Sequence, residues 1–177
     1  GKYGAHCSRF GCASAWGARK QLSTGTLCDR SGNSRRGTDL MPPIVQKYGG
    51  SSVASPQHLR RVAERIAKRV DQGNECVVVV SAMGKTTDEL IALASELPQS
   101  PAKREYDMLL STGEIVSSAL LAMALREIGC PAIALTGAQA GVYTDETFGR
   151  ARITEIDTTR VQTELQRDHI VIIAGFQ

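Results

Sequence analysis

Four short apolar runs, separated by stretches of helical period, are the feature that most constrains how this chain folds. The run Cys76–Val80 contains four valines, which is typical of a strand covered on both faces. We predict strands over 44–48, 76–80, 131–135 and 169–174, helices over 56–72, 88–97, 104–128 and 159–166, a linker turn at Pro98–Pro101 and a hairpin within 142–157. Alternating strands and helices indicate an α/β fold with a mostly parallel sheet in a three-layer αβα arrangement. The loops after the strands then share one sheet edge, where ligands of α/β proteins bind.

The first helix has the clearest boundaries. Ser55 is placed to cap it, Pro56 suits its first position and Gly73 ends it. Apolar residues recur at helical spacing and predict a buried face of Leu59, Val62, Ala63, Ile66, Ala67 and Val70. The basic residues lie on the other faces and indicate a solvated surface.

Residues 1–40 differ from the rest of the chain. They contain 7 Lys and Arg against 2 Asp and Glu, whereas residues 41–177 contain 14 against 16. The segment shows no helical or alternating apolar period, so we interpret it as an irregular basic leader. Three interpretations stay open: sequence upstream of a start at Met41, an organellar transit peptide, or an arm that binds metal or nucleic acid. A secretory signal is excluded because the segment lacks an apolar core.

Composition also bears on compartment and partners. The basic excess is confined to the leader, so we expect no nucleic-acid partner for the rest of the chain. The chain has no uninterrupted apolar run of about 18 residues, so we predict no membrane span. Cys76 and Cys130 are interpreted as small buried side chains in a reducing compartment. We expect a cytoplasmic protein, or a plastid one if the leader is a transit peptide.

The segment Lys47–Ser51 closes the first strand just before a helix. Paired glycines let backbone N–H groups approach phosphate oxygens, and Lys47 can neutralise the charge of a transferred phosphoryl group. The alternative is a plain strand-to-helix turn with a lysine that extends into solvent.

A second loop, Ser81–Thr87, follows the valine-rich strand. Its Gly84-Lys85-Thr86 suggests a P-loop, but that motif needs a glycine where Val79 stands, so we reject it. The hydroxyls of Ser81, Thr86 and Thr87 can orient a small polar substrate. Alternatively, Thr86 or Thr87 caps a helix that begins at Asp88.

The segment Ser111–Glu114 interrupts the apolar pattern of the longest helix, which favours a partly buried Glu114. A buried carboxylate needs a partner, and the amino group of a substrate would be one; the alternative is a solvent-facing glutamate. We find no cluster of residues at metal-ligand spacing and interpret His58 and His169 as structural or surface residues. Phosphoryl transfer to a carboxylate needs no protein base, because such an acceptor is already ionised near neutral pH.

Together these segments resemble the N-terminal part of the aspartate kinases, in the amino acid kinase superfamily. The resemblance covers Ile44–Gln177 and rests on five motifs in order: KYGGSS, VVVVSAMGKTTDEL, MLLSTGE, LTGAQAG and IVIIAGFQ. It implies ATP-dependent phosphorylation of the side chain of L-aspartate to aspartyl phosphate, the first step towards lysine, threonine and methionine. It also implies Mg²⁺ held mainly by the nucleotide, and a homo-oligomeric full-length protein.

The resemblance assigns roles to individual residues. The catalytic lysine falls on Lys47, and the phosphate-binding segment comprises Lys47, Tyr48, Gly49, Gly50 and Ser51. The aspartate-binding hydroxyls fall on Ser81 and Thr87, and the substrate-contacting glutamate falls on Glu114. No metal-ligating residue is implied.

The family continues past GFQ into a GRGGSD-type segment, a nucleotide-binding half and, in most members, regulatory ACT domains. We therefore expect an incomplete domain over 41–177, no kinase turnover by this polypeptide alone, and an unpaired sheet edge at its last strand. Two alternatives remain: a superfamily kinase with another acceptor, and a truncated binding or assembly module without catalytic activity.

Overall fold

A computed structural model describes residues 42–97 and 102–176. The predicted leader and the predicted linker turn Pro98–Pro101 lie outside this part of the chain. The elements in order are β1 Ile44–Tyr48, a 3₁₀ turn Gly50–Val53, α1 Pro56–Asp71, β2 Cys76–Val80, α2 Thr86–Ser95, α3 Lys103–Glu127, β3 Ala132–Leu135, β4 Val142–Thr144, β5 Ile153–Ile156, α4 Thr159–Gln166 and β6 Ile170–Ala174. The predicted elements within the described ranges are confirmed to within about two residues, a usual uncertainty at element ends.

Four strands form one parallel sheet in the order β1-β2-β6-β3, and β4 pairs with β5 as a separate antiparallel hairpin. Helices α1 and α3 pack together on one face of the sheet, and α4 packs on β6. Leu165 of α4 joins Val77 and Val171 in a second apolar cluster, which places α4 on the opposite face. The predicted α/β fold with three layers is confirmed.

The position of β6 corrects one expectation. This strand pairs with β2 on one side and with β3 on the other, so it lies in the interior of the sheet. The prediction of an unpaired edge at the last strand is therefore wrong. Within the described residues, the edges of the sheet are β1 and β3.

Strand β1 differs from the strands in the interior of the sheet, because it is covered on one face only. Its residues alternate between half-buried and exposed, and Val45 is 67% exposed. An edge strand with one covered face shows this period-two pattern. By contrast, β2 and β6 are buried along almost their whole length, as the apolar runs predicted.

The helices follow their local signals closely, with one exception. Ser55 caps α1, since its Oγ accepts a hydrogen bond from the His58 N–H at 3.3 Å, and the six apolar residues predicted for its buried face are buried. His58 also contacts the Ser55 hydroxyl, so its structural role is confirmed. The exception is α2, which begins at Thr86 with Lys85 at the cap position and no side-chain cap. The alternative interpretation, in which Thr86 or Thr87 caps this helix, is therefore wrong.

Helix α3 is the longest element and has seven residues buried in the fold. By length and apolar composition alone it could cross a membrane, a property shared by the core helices of many water-soluble folds. Cys76 and Cys130 are buried in the apolar core beside this helix and the sheet, as predicted.

The loop Thr136–Gly141 connects β3 to the hairpin, and several of its hydrogen bonds join residues within the loop. The N–H of Ala140 donates to the Thr136 carbonyl at 2.9 Å, and the Thr136 N–H donates to the side chain of Gln139 at 3.0 Å. Gly141 ends the loop at φ 79°, and its carbonyl accepts from the Asp157 N–H at 2.8 Å. Gly141 therefore shapes the turn into the hairpin.

A buried carboxylate joins α4 to the start of β6. Glu164 is 1% exposed, and its oxygens contact His169 at 2.7 Å, Arg160 at 3.0 Å and Arg167 at 3.2 Å. The hydrogen bond to His169, followed by the two arginine charges, holds the pKa of Glu164 below its usual value. His169 therefore has the structural role that the sequence analysis expected.

We predict that Gly141→Ala unfolds the hairpin region or destabilises the chain by more than 2 kcal/mol, roughly the cost of a backbone clash added to left-handed strain. An added Cβ would overlap the carbonyl oxygen of Asp157. Gly129→Ala is the matched control: it has a similar φ of 82° but no atom within 4 Å of the added Cβ, so it should cost only about 1 kcal/mol. Urea denaturation measures both, and equal losses would contradict the prediction.

We predict that Glu164→Gln lowers the free energy of unfolding by about 1–3 kcal/mol at pH 7, since hydrogen bonds to a buried charge are lost. The difference in the free energy of unfolding between wild type and variant is fully present above about pH 4.3, the usual pKa of a glutamate carboxyl. It declines as the pH falls through the lowered pKa of folded Glu164. Urea titrations at pH 7 and pH 3.5 test this. Glu155→Gln, on the exposed strand β5, should change stability little; a pH-independent difference for Glu164→Gln would contradict the prediction.

Candidate active site

The carboxyl ends of three neighbouring strands are level at one edge of the sheet. Tyr48 is paired in register with Val80, and Val80 with Ala174. The segments that follow them contain most of the residues that the sequence analysis selected. Parallel strands thus bring together residues that are far apart along the chain.

Backbone hydrogen bonds join these loops to one another. The bonds run from the Ser81 N–H to the Tyr48 carbonyl at 3.0 Å, from the Gly84 N–H to the Gly50 carbonyl at 3.1 Å, and from the Gly175 N–H to the Val80 carbonyl at 3.0 Å. The loops therefore form one connected backbone structure, so a shift of one loop would disturb its neighbours.

The two glycines after β1 differ in their surroundings. A Cβ on Gly50 would lie 2.7 Å from the Ala82 carbonyl oxygen, closer than real contacts allow, so this position requires glycine. A Cβ on Gly49 would meet no atom within 4 Å. The backbone of Gly49 is therefore open to approach by a ligand, whereas Gly50 serves close packing of the first two loops.

Glu114 reaches this edge from α3. Its side chain is half-buried, as predicted, and its Oε2 accepts a hydrogen bond from the N–H of Phe176. The N–H groups of Ala82 and Gly175 also act on the carboxylate. Burial raises the pKa of Glu114 above its usual value, while these N–H groups and the charge of Lys47 oppose that rise. The carboxylate therefore connects α3 to the loops after β2 and β6.

Lys47 lies on the exposed side of β1, one residue before the strand ends. The positive charge of Lys47 acts to lower the pKa of Glu114. Within residues 42–97 and 102–176, no carboxylate lies within salt-bridge distance of its ammonium group. The charge of Lys47 is therefore available to an anionic ligand.

The remaining predicted residues occupy different positions around this edge. The ring of Tyr48 packs against the core, and its hydroxyl donates to Gln46 at 2.7 Å, so its backbone and not its hydroxyl belongs to the loop structure. Burial raises the pKa of Tyr48. Ser51 is exposed in the 3₁₀ turn, and Ser81 is half-buried directly after β2. Thr87 is exposed in the first turn of α2, not in the loop before it.

Sequence reasoning missed the residues that hold Glu114 in place. The N–H groups come from Ala82, Gly175 and Phe176, whose side chains give no sign of this contact. Gly113 allows the approach, because its added Cβ would lie only 3.0 Å from the Cβ of Ala82. One signal was available: a glycine inside a helix is costly and often marks close packing.

A cavity of about 400 Å³ lies at another place, between the end of α2, the start of α3 and the hairpin tip. Its lining includes Lys103, Tyr106, Phe148 and Arg150, and it shares no residue with the sheet edge described above. The candidate site is instead an open edge that combines a carboxylate, an ammonium group and backbone N–H groups. Such a set can bind a ligand that carries both an amino group and anionic oxygens.

Comparison with known proteins shows which proteins this chain is similar to. The aspartokinase of Geobacillus stearothermophilus is 59% identical over 134 residues, which are 76% of this chain and 33% of that protein. The structure of the aspartate kinase from Synechocystis matches with a TM-score of 0.66 at 50% identity, over 77% of this chain and 22% of that one.

Escherichia coli aspartokinase III, solved with aspartate and ADP, matches with a TM-score of 0.63 at 23% identity over 76% of this chain and 41% of that one; this likeness shows the fold. The chain spans about a third of the length of the curated relatives that it matches. The sequence profile of the amino acid kinase family matches residues 42–177, most of the chain and all of the described fold. The chain therefore belongs to the amino acid kinase family.

Proposed function

We propose that this chain forms the aspartate-binding and phosphate-binding part of an aspartate kinase, which transfers the γ-phosphoryl group of ATP to the side-chain carboxylate of L-aspartate. The observation that carries the proposal is the half-buried Glu114, whose carboxylate accepts from the Phe176 N–H where β1, β2 and β6 end and on which the charge of Lys47 acts. The 59% identity to an aspartokinase supports the choice of acceptor.

Each group has a role that its chemistry suits. Glu114 binds the ammonium group of aspartate, because a partly desolvated carboxylate gains from a cationic partner. Ser81 and Thr87 orient the carboxylates of the substrate through their hydroxyls. The backbone of Gly49, Gly50 and Ser51 receives phosphate oxygens, with Tyr48 holding the turn against the core.

Lys47 stabilises the negative charge that develops on the transferred phosphoryl group, which is the main task of a protein in such a transfer. The acceptor carboxylate is ionised at neutral pH, so no side chain is needed to remove a proton. Within residues 42–97 and 102–176, no group of His, Cys, Asp or Glu could hold a metal ion. We infer that Mg²⁺ enters with the nucleotide and stays mainly on its phosphates.

A chimeric enzyme tests the proposal directly. Residues 44–177 replace the matching third of the Geobacillus stearothermophilus aspartokinase, and ADP release is followed with ATP and Mg²⁺. We expect turnover that depends on L-aspartate and is at least tenfold lower with L-glutamate, because the proposed acceptor is the side chain of aspartate and a longer side chain would displace the reacting carboxylate. A chimera that is folded by circular dichroism but shows no aspartate-dependent ADP release would contradict the proposal.

In this chimera, Lys47→Met should lower kcat by about 10²–10³-fold and leave the KM for aspartate nearly unchanged, since the lost charge acts on the transition state. Lys68→Met is the matched control, because Lys68 is exposed on α1, and it should keep normal kinetics. Steady-state measurements at saturating ATP decide the outcome; a large KM effect without a kcat effect would assign Lys47 to aspartate binding.

Glu114→Gln should raise the KM for aspartate by roughly tenfold or more, the effect of losing a hydrogen bond between charged groups. The wild-type KM should rise as the pH falls towards the raised pKa of Glu114, because the neutral acid no longer attracts an ammonium group. The variant should lose that component of the pH dependence. Glu64→Gln, on the exposed face of α1, is the control. An unchanged KM in Glu114→Gln would contradict a role in aspartate binding and would leave Glu114 only the role of holding the loops in place.

A further inference from the structure

Ala82, in the loop after β2, is enclosed by three other segments of the candidate site. It is only 6% exposed, although the loops between helices and strands usually lie at the surface. Its carbonyl, its methyl group and its N–H each meet a different neighbour. Because closely packed groups transmit small displacements, the position of Ala82 bears on all three neighbours.

The carbonyl of Ala82 lies against the turn after β1. A Cβ on Gly50 would lie 2.7 Å from this oxygen, so the two backbones are packed without a side chain between them. Two residues further on, the Gly84 N–H donates to the Gly50 carbonyl at 3.1 Å. The backbone of Ala82 therefore has little room to move towards this turn.

The methyl group of Ala82 lies against α3 at Gly113. A Cβ on Gly113 would lie 3.0 Å from the Ala82 Cβ, closer than the about 3.5–4.0 Å at which carbon atoms attract one another. The same Cβ would lie 3.4 Å from Thr86 Cγ2 and 3.5 Å from Leu90 Cδ1, near ordinary contact. A side chain at position 113 would therefore press first on Ala82.

The N–H of Ala82 acts on the carboxylate of Glu114, the residue that follows Gly113. The N–H groups of Phe176 and Gly175 act on the same carboxylate, and a Cβ on Gly175 would lie 3.3 Å from Glu114 Oε2. The donors are backbone groups with fixed positions, so the contact between Ala82 and Gly113 determines how closely Glu114 approaches the first of them.

We propose that Ala82 is a positioning residue, which sets the place of Glu114 in the site through the contact of its methyl group with Gly113. Its consequence for aspartate binding rests on the proposed function, whereas the placement of Glu114 does not. A larger residue on either side of the contact moves the carboxylate away from the Ala82 N–H. The ionised form then loses a donor, and the attraction for a ligand ammonium group weakens.

NMR titration of the 177-residue chain tests the placement without any need for activity. The chain carries isotope-labelled glutamate, and Glu114→Gln identifies the carboxyl signal of Glu114. Gly113→Ala should raise the pKa of Glu114 above that of the wild type, because the N–H of Ala82 acts to lower it. The double variant with Ala82→Gly moves one methyl group across the contact, conserves the packed volume and should restore the wild-type pKa.

Kinetics of the chimeric enzyme test the consequence for the substrate. Gly113→Ala should raise the KM for aspartate by about tenfold and change kcat by less than about twofold, the pattern of a lost ground-state contact. The rise of KM on acidification should begin at a higher pH than in the wild type. The double variant should return KM to within about threefold of wild type.

Leu121→Ala is the control for a merely structural effect. Leu121 is fully buried in the core on the same helix, so its truncation lowers stability. It should leave the KM for aspartate and the pKa of Glu114 unchanged. Circular dichroism checks that each variant is folded. If Gly113→Ala does not fold, Ala82→Val enlarges the same contact from the loop side, is titrated in its place and should also raise the pKa.

Three results would overturn the proposal: an unchanged pKa of Glu114 in the folded variant, an equal rise in Leu121→Ala, or a double variant that behaves like Gly113→Ala. A wild-type chimera without aspartate-dependent turnover would contradict the proposed function alone, because the NMR titration still decides whether Ala82 places Glu114.

Discussion

The pairing of β2 with β6 in the middle of the sheet is the constraint on which the rest of the structure depends. Both strands are almost entirely buried, so each backbone group must find its partner in a neighbouring strand. Their register makes Val80 level with Ala174, and β1 adds Tyr48 to the same row. The three loops therefore leave the sheet at one height and can bond to one another.

The chemistry of the site follows from that alignment. Glu114 is half-buried because α3 packs against the same edge. Its carboxylate accepts from the N–H of Phe176, 62 residues further along the chain, and the N–H groups of Ala82 and Gly175 also act on it. A buried carboxylate without these donors would be costly, whereas the donors favour its ionised form, which attracts a cation. The glycines at 50 and 113 contribute by allowing backbones and side chains to approach closely.

Local signals predicted local structure well and strand order poorly. The cap of α1, its buried face and the bounds of α4 follow from capping chemistry and period, because these depend on residues within one or two turns. The errors concern neighbours in space. Whether β6 lies at an edge depends on which strands pair, and an apolar run carries no such information. The start of α2 also differed, with Lys85 and not a threonine at the cap position.

The sequence by itself determined the fold class, the helices and the location of the candidate residues after the strands, because hydrophobic period and glycine chemistry act over short distances. The five ordered motifs were enough to indicate the family. Only the tertiary structure decided that Glu114 is held by the N–H of Phe176, that Tyr48 directs its hydroxyl to Gln46, and that one face of α3 stays exposed. These outcomes depend on the distances between segments remote in sequence, and such distances exist only after the sheet has assembled.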